Sequence, residues 1–200
     1  MTEIGILLTN MESALSEFQG FQGWVIGKCS VWIRKTREER EKLSHAILLK
    51  RNDMLAVFQV YGNNRQFDGM LQVTLIKPYL KKSVEERRKD KRGKTLGNLV
   101  FSAEQINRFL DSVSDNNPVH RGDGAIVPGF MIMNDIMVRT GEEVMKKIGK
   151  NFVMEARFLV PMKVGEEAEL WKEDIESGGF RICGVIKESE IFDIKIYKKN

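Results

Sequence analysis

The stretch from Gly129 to Lys150, GFMIMNDIMVRTGEEVMKKIGK, most constrains what this chain can fold into. Its first half is apolar nearly all round: Phe130, Met131, Ile132, Met133, Ile136, Met137 and Val138. A helix with that composition must be buried on most sides. Its second half is amphipathic and ends at Gly149 with lysines in the last turn, where they suit the helix dipole. The segments beyond it read as strands: NFVMEARFLVP, GEEAELWKED, GFRICGVIKE and EIFDIKIYKK, with turns at Gly178-Gly179 and Glu188-Ser189. A largely buried helix succeeded by long antiparallel strands predicts an α+β fold in which a sheet wraps a central helix.

The first half of the chain reads differently. WVIGKCSVWIRK, HAILLKRNDMLAVFQVYGNN and FDGMLQVTLIKP are rich in Val, Ile, Phe, Tyr and Trp and are punctuated by Asn-Asp and Gly-Asn-Asn. They predict antiparallel strands. A short helix is expected over Ser13 to Phe18, and no helix of core length. Further on, FSAEQINRFLDSVSD places Ile106, Phe109, Leu110 and Val113 on one helical face. Ser102 with Gln105 forms a capping-box signal, Phe101 can staple against Ile106, and Pro118 requires the helix to stop before it.

Composition narrows the classes. At 200 residues the chain is long enough for one large domain or two small halves. With 42% hydrophobic and 30% charged residues it can build a real core. No run of 18 apolar residues is present, which excludes a membrane-spanning helix. The opening MTEIGILLTNMESALSEF lacks a basic region and a small-residue cleavage site, so no signal peptide is expected. Cys29 and Cys183 have no partner spacing, which points away from disulfides and zinc and towards a reducing cytoplasm. The net charge is +4, yet KKSVEERRKDKRGK at 81–94 alone carries eight Lys/Arg against three Asp/Glu, so the remainder sums to −1. That segment has no aromatic residues, and a nucleic-acid surface is not expected. It reads as a solvated linker, with Lys81, Lys82, Arg87, Arg88, Lys91 and Arg92 available to steer an acidic partner.

The chemistry concentrates in Asp115-Asn116-Asn117-Pro118-Val119-His120. A carboxylate and an imidazole on a Pro-rigidified turn can hold one water between them, one orienting or deprotonating it and the other returning the proton. Read alone, the motif is a weak signal: Asp-Asn-Asn-Pro is a good helix stop, and a lone histidine is usually structural. Downstream, Pro128-Gly129-Phe130 opens the buried helix, whose first turn offers free N–H groups and positive partial charge to an oxyanion. Pro128 has no N–H, so Gly129 is the donor, and its bare backbone lets a carbonyl approach.

FLDSVSDNNPVH, then AIVPGFMIMNDIM, then ARFLVPMKVGEEAEL together resemble the MaoC-like (R)-specific enoyl hydratase / 3-hydroxyacyl dehydratase family. The family's Asp-x-Asn-Pro-x-His motif, helix glycine and Phe-x-x-Pro-x-x-x-Gly pattern recur here in order over about residues 95–200. The resemblance implies a hot-dog fold, with Asp115 and His120 holding the water that adds to C3 of an enoyl thioester. It implies that Asn117 braces the loop and that Gly129 polarises the thioester carbonyl. Pro128, Phe130 and Met133 are expected along the acyl wall. The acyl group would arrive on coenzyme A or on acyl carrier protein, and neither a metal nor a redox cofactor is implied.

Two departures stand out. Only RGDGAIVP separates His120 from Gly129, fewer residues than family members usually carry, and Pro128 stands where they commonly have a histidine. An altered pocket and a short-chain or unusual acyl substrate are therefore expected. A thioesterase on the same fold and a non-catalytic acyl-thioester binding protein remain open alternatives. The expected organisation is a double hot dog: a strand-rich, degenerate half at 1–80 without a long helix, a basic linker at 81–94, and a MaoC-like domain at 95–200. A homodimer is a further possibility of such a fold, because hot-dog sheets normally pair edge to edge.

Overall fold

The alternating segments of the first half form β1 (Val25–Lys35), β2 (Ser44–Arg51), β3 (Leu55–Asn63) and β4 (Phe67–Ile76). Those of the second half form β5 (Lys94–Leu99), β6 (Phe152–Phe158), β7 (Ala168–Asp174), β8 (Phe180–Ile186) and β9 (Ser189–Lys198). Three α-helices accompany them among the described residues: α1 (Glu3–Ser16), α2 (Ala103–Val113) and α3 (Gly129–Lys147). The computed structural model describes residues 2–36, 43–77, 93–176 and 178–199. Most of the basic segment, and with it the linker expectation, lies outside the described residues. Among the described residues no helix is long and apolar enough to cross a membrane.

The nine strands form one sheet in the order β2-β3-β4-β1-β6-β9-β8-β7-β5, every neighbour antiparallel. The halves meet where β1 pairs with β6, from Lys28 opposite Arg157 to Ile33 opposite Phe152. The double hot dog expected from the family resemblance of the second half and the strands of the first is the architecture observed. β5 has no counterpart among the expected strands, and its first residue, Lys94, falls within the expected linker. The β8–β9 turn falls at Lys187 and Glu188, both with positive φ (47° and 70°), one residue earlier than its sequence suggests.

α2 begins as its sequence dictates. The Gln105 N–H donates to Ser102 Oγ (3.2 Å), and the Ser102 N–H donates to Gln105 Oε1 (2.8 Å), closing the capping box. α3 buries Phe130, Ile132, Met133, Ile136, Met137, Thr140 and Val144 and keeps Lys146 and Lys147 in its last turn. Gly149, at φ 98°, ends it by donating to the Val144 carbonyl (2.9 Å).

One expectation is corrected. The first half does possess a core helix, because α1 runs fourteen residues rather than covering only Ser13 to Phe18. Thr2 caps it, accepting from the Gly5 N–H at 3.0 Å, and Ile4, Leu7, Leu8 and Met11 form a buried stripe. The helix sits close on the sheet because two glycines face each other across β3 and β4, Gly62 opposite Gly69. A Cβ on Gly62 would lie 2.9 Å from Met11 Cγ, and one on Gly69 would collide with Met11 Cε. The first half is degenerate in another sense: it carries no counterpart of the Asp-x-Asn-Pro-x-His motif.

Gly62→Val is therefore expected to destabilise the protein by about 1–3 kcal/mol, the usual range for overpacking, read as a lowered thermal midpoint. Met11→Ala in the same chain should recover part of that loss. Strict additivity of the two changes would show that α1 does not rest on this glycine pair.

Candidate active site

The site is assembled by the turn that ends α2. Ser114 takes the left-handed conformation (φ 56°), and the Asp115 N–H returns to the Leu110 carbonyl (2.9 Å). Asp115 Oδ1 then accepts the Asn117 N–H (2.8 Å), which aims the carboxylate across the turn. Pro118 to His120 form one 3₁₀ turn, capped by Asn117. The Asn117 side chain also clamps this loop to the first half of the chain. Its Oδ1 accepts the Gly23 N–H (2.7 Å), and its Nδ2 donates to the Trp24 carbonyl (2.8 Å).

His120 is buried, with its Nδ1 2.7 Å from the Ile126 carbonyl oxygen. A carbonyl can only accept, so Nδ1 carries the proton and the Nε2 lone pair is left free. Nε2 lies 4.0 Å from Asp115 Oδ2, too far for a direct hydrogen bond. Two acceptors at that separation suit one water about 2.8 Å from each, donating a proton to both. Burial holds the His120 imidazole below its ordinary value, opposed by the Ile126 carbonyl and the Asp115 charge. The carbonyl acceptor is itself fixed, since the Ile126 N–H donates to Val119 O (2.9 Å) and the Val127 N–H to Met162 O (2.8 Å).

These groups line a cavity of about 970 Å³. Asp115, Asn117, His120, Pro128, Gly129 and Phe130 all contribute to its wall. Pro128 precedes α3 without a side-chain cap, so the Gly129 and Phe130 amides of the first turn have no intrahelical acceptor. A Cβ on Gly129 would come within 2.9 Å of Phe158 Cζ, so a side chain there would displace that ring. Met133 is not part of this wall. It is fully buried, with its Sδ 3.5 Å from Cys29 Sγ in the core between α3 and β1, which corrects its expected place on the acyl wall. Burial pushes the Cys29 thiol up to about 12 and the Cys183 thiol to about 11, so neither is a ready nucleophile. Among the described residues no group of three or more His, Cys, Asp or Glu is arranged to hold a metal.

The first half supplies wall residues that the motifs do not reveal, among them Phe18, Trp24, Ile26 and Glu12. Glu12 is legible in principle, as one carboxyl on the apolar face of α1 between Leu8 and Leu15.

No family model and no curated protein matches this chain. Solved structures do. HtdX from Mycobacterium tuberculosis superposes with a TM-score of 0.68 at 11% identity, over 98% of this chain and 86% of that one. An acyl-ACP thioesterase from Bacteroides thetaiotaomicron gives 0.57 at 10% identity, over 87% and 75%. A MaoC-like dehydratase from Phytophthora capsici gives 0.54 at 14% identity, over 92% and 74%. The fold is a double hot dog. In that fold the chain resembles the MaoC-like proteins, as its motifs imply.

The geometry dictates how His120 titrates and what loss of the Asn117 clamp costs. The NMR titration midpoint of His120 is expected below the ~6.5 of an unperturbed imidazole, and Asp115→Asn should lower it further by removing the charge that opposes burial. The unfolded chain then takes up a proton near pH ~6.5 that folded His120 refuses, so acidification through that range should reduce stability. Asn117→Ala should cost about 2–4 kcal/mol in chemical denaturation, because the Gly23 N–H and the Trp24 carbonyl lose their partner inside the fold.

Proposed function

We propose that this protein is an enoyl-thioester hydratase / 3-hydroxyacyl-thioester dehydratase, with Asp115 and His120 as its water-activating pair. The observation that carries this reading is the pair of acceptors, 4.0 Å apart, which lines the same largely apolar cavity as the uncapped start of α3. A water donating to both would keep a lone pair free for C3 of the enoyl thioester. As the O–C3 bond forms, one O–H bond breaks and its proton passes to the dyad. The electron pair of the double bond moves towards the thioester oxygen, where the Gly129 N–H would stabilise the enolate-like charge. A proton from the dyad then returns to C2, leaving the 3-hydroxyacyl thioester, and the reverse sequence is dehydration. These steps need no metal and no redox cofactor.

The carrier would be coenzyme A or acyl carrier protein. The acidity of a carrier protein would complement the basic segment around residues 81–94, and binding through it would weaken with salt. Free, buried cysteines suit a reducing cytoplasm. A second reading, hydrolysis of the thioester itself, is favoured by the likeness to an acyl-ACP thioesterase. The same water would then attack the carbonyl carbon and release a thiol.

Incubation with a chain-length series of enoyl-CoA, monitoring loss of the conjugated-thioester absorbance and release of free thiol, separates the two. Hydration without thiol release is the expected result. Asp115→Asn and His120→Ala should each reduce turnover by about 10²–10⁴-fold, the range for one positioned acid or base. Asp115→Asn, which keeps the side chain's shape, should do so with the smaller loss of thermal stability, because His120→Ala also strands the buried Ile126 carbonyl. Thiol release at the wild-type rate would replace the hydratase by the hydrolase. Full hydratase activity in both variants would remove the dyad from the mechanism.

A further inference from the structure

Glu12 is a buried carboxyl for which the proposed reaction has no use. It lies on α1, is 5% exposed, and contributes to the wall of the cavity that holds Asp115 and His120. Its Oε2 has no hydrogen-bond partner among the described residues. Ser16, one turn further along, directs its hydroxyl to the Glu12 backbone carbonyl (2.9 Å) rather than to the carboxyl. Most of the surrounding wall is apolar, with Leu15, Phe18 and Phe21 nearby in sequence on the same side.

A buried carboxyl oxygen without a partner, as Oε2 is here, destabilises the free protein. Buried polar atoms are nearly always satisfied, so an exception on a residue that lines a ligand cavity points to a ligand atom as the missing partner. Burial, reinforced by the nearby Asp115 charge, raises the Glu12 pKa well above the ordinary carboxyl value. The protonated form thus favoured can both donate and accept a hydrogen bond. A plain alkyl chain would leave that group unpaired, whereas a chain with an oxygen in reach would satisfy it.

We propose that Glu12 is a specificity-determining residue whose carboxyl hydrogen-bonds a hydroxyl or oxo group on the acyl chain beyond C3. The cavity accordingly takes oxygenated acyl thioesters in preference to plain alkyl ones. This rests on the acyl-thioester reading above, and calorimetric binding separates the two claims. The probes are unreactive thioether analogues of medium-chain acyl-CoA, one plain and others hydroxylated at successive carbons beyond C3.

Wild-type protein is expected to bind at least one hydroxylated analogue about tenfold or more tighter than the plain one, which is what one satisfied hydrogen bond supplies. Glu12→Gln, which keeps both donor and acceptor, should retain that preference. Glu12→Leu should bring the ratio to within about twofold. It should also raise the thermal midpoint by about 2–4 °C, since it removes an unpaired buried polar group. Equal binding of plain and hydroxylated analogues by the wild type would overturn the role of Glu12 and leave the acyl-thioester reading standing. Retention of the preference by Glu12→Leu would do the same. A lowered midpoint with loss of all binding in both variants would assign Glu12 to the scaffold instead. Failure of every analogue to bind the wild type would overturn both readings together.

Discussion

Antiparallel pairing of β1 with β6 covers two sheet edges at once, and its register sets the position of the site. β1 also pairs with β4 on its other side, from Val25 opposite Ile76 to Lys35 opposite Phe67, so it is locked on both flanks. Val31 and Ile33 are buried in this arrangement, and a slip of one residue would turn them to the opposite face. Gly23 and Trp24 lie immediately before β1. The same register therefore delivers their N–H and carbonyl to Asn117, more than ninety residues away in the chain. The loop that carries Asp115 and His120 is positioned by the far half of the sheet as much as by its own turn.

The short connection between His120 and Gly129 takes on meaning in that frame. In sequence it reads as a loss, because fewer residues remain to shape a pocket. In the structure those residues supply the Ile126 carbonyl that fixes the proton on His120 Nδ1 and leaves Nε2 turned towards Asp115. The stretch is held from both sides, by Val119 and by the strand-like bridge from Ile126 to Lys163. Pro128 contributes rigidity and leaves the first amides of α3 free of a local cap. Shortness here is compatible with a more tightly specified imidazole.

Legibility in the sequence tracks the strength of each local signal. α2 and α3 can be placed because caps, glycine stops and apolar phase agree, and the long strands because their branched and aromatic residues are bracketed by turn formers. α1 escapes recognition although Ile4, Leu7, Leu8 and Met11 have helical spacing, since polar Thr9, Asn10 and Glu12 fall within the same stretch. β5 is six residues long, holds a glycine and abuts the basic run, so neither period nor composition marks it. Met133 illustrates a different limit. A helix apolar on all sides has no phase, and nothing in the residues themselves says which of them faces the cavity and which faces β1. The clamp from Asn117 to Gly23 and Trp24 is non-local: the motif implies a bracing role for Asn117, but nothing in the sequence marks Gly23 and Trp24 as its partners.

The two halves thus carry unequal chemical burdens on one architecture. Asp115 and His120 are tied to backbone groups of their own turn and loop, so their geometry is set before any ligand arrives. Glu12 comes from a helix seated on glycines across the seam and has no such tie at its buried Oε2. Their pH linkages run in opposite directions. Folded His120 resists protonation, so its effect on stability is felt as pH falls below the ordinary imidazole range. Folded Glu12 retains its proton after an unfolded carboxyl would have lost it, so it weakens the fold as pH rises above the ordinary carboxyl range. Near neutrality the imidazole is at ease and the carboxyl is the strained member. The free energy held in that unpaired group is available to whatever ligand brings it a partner.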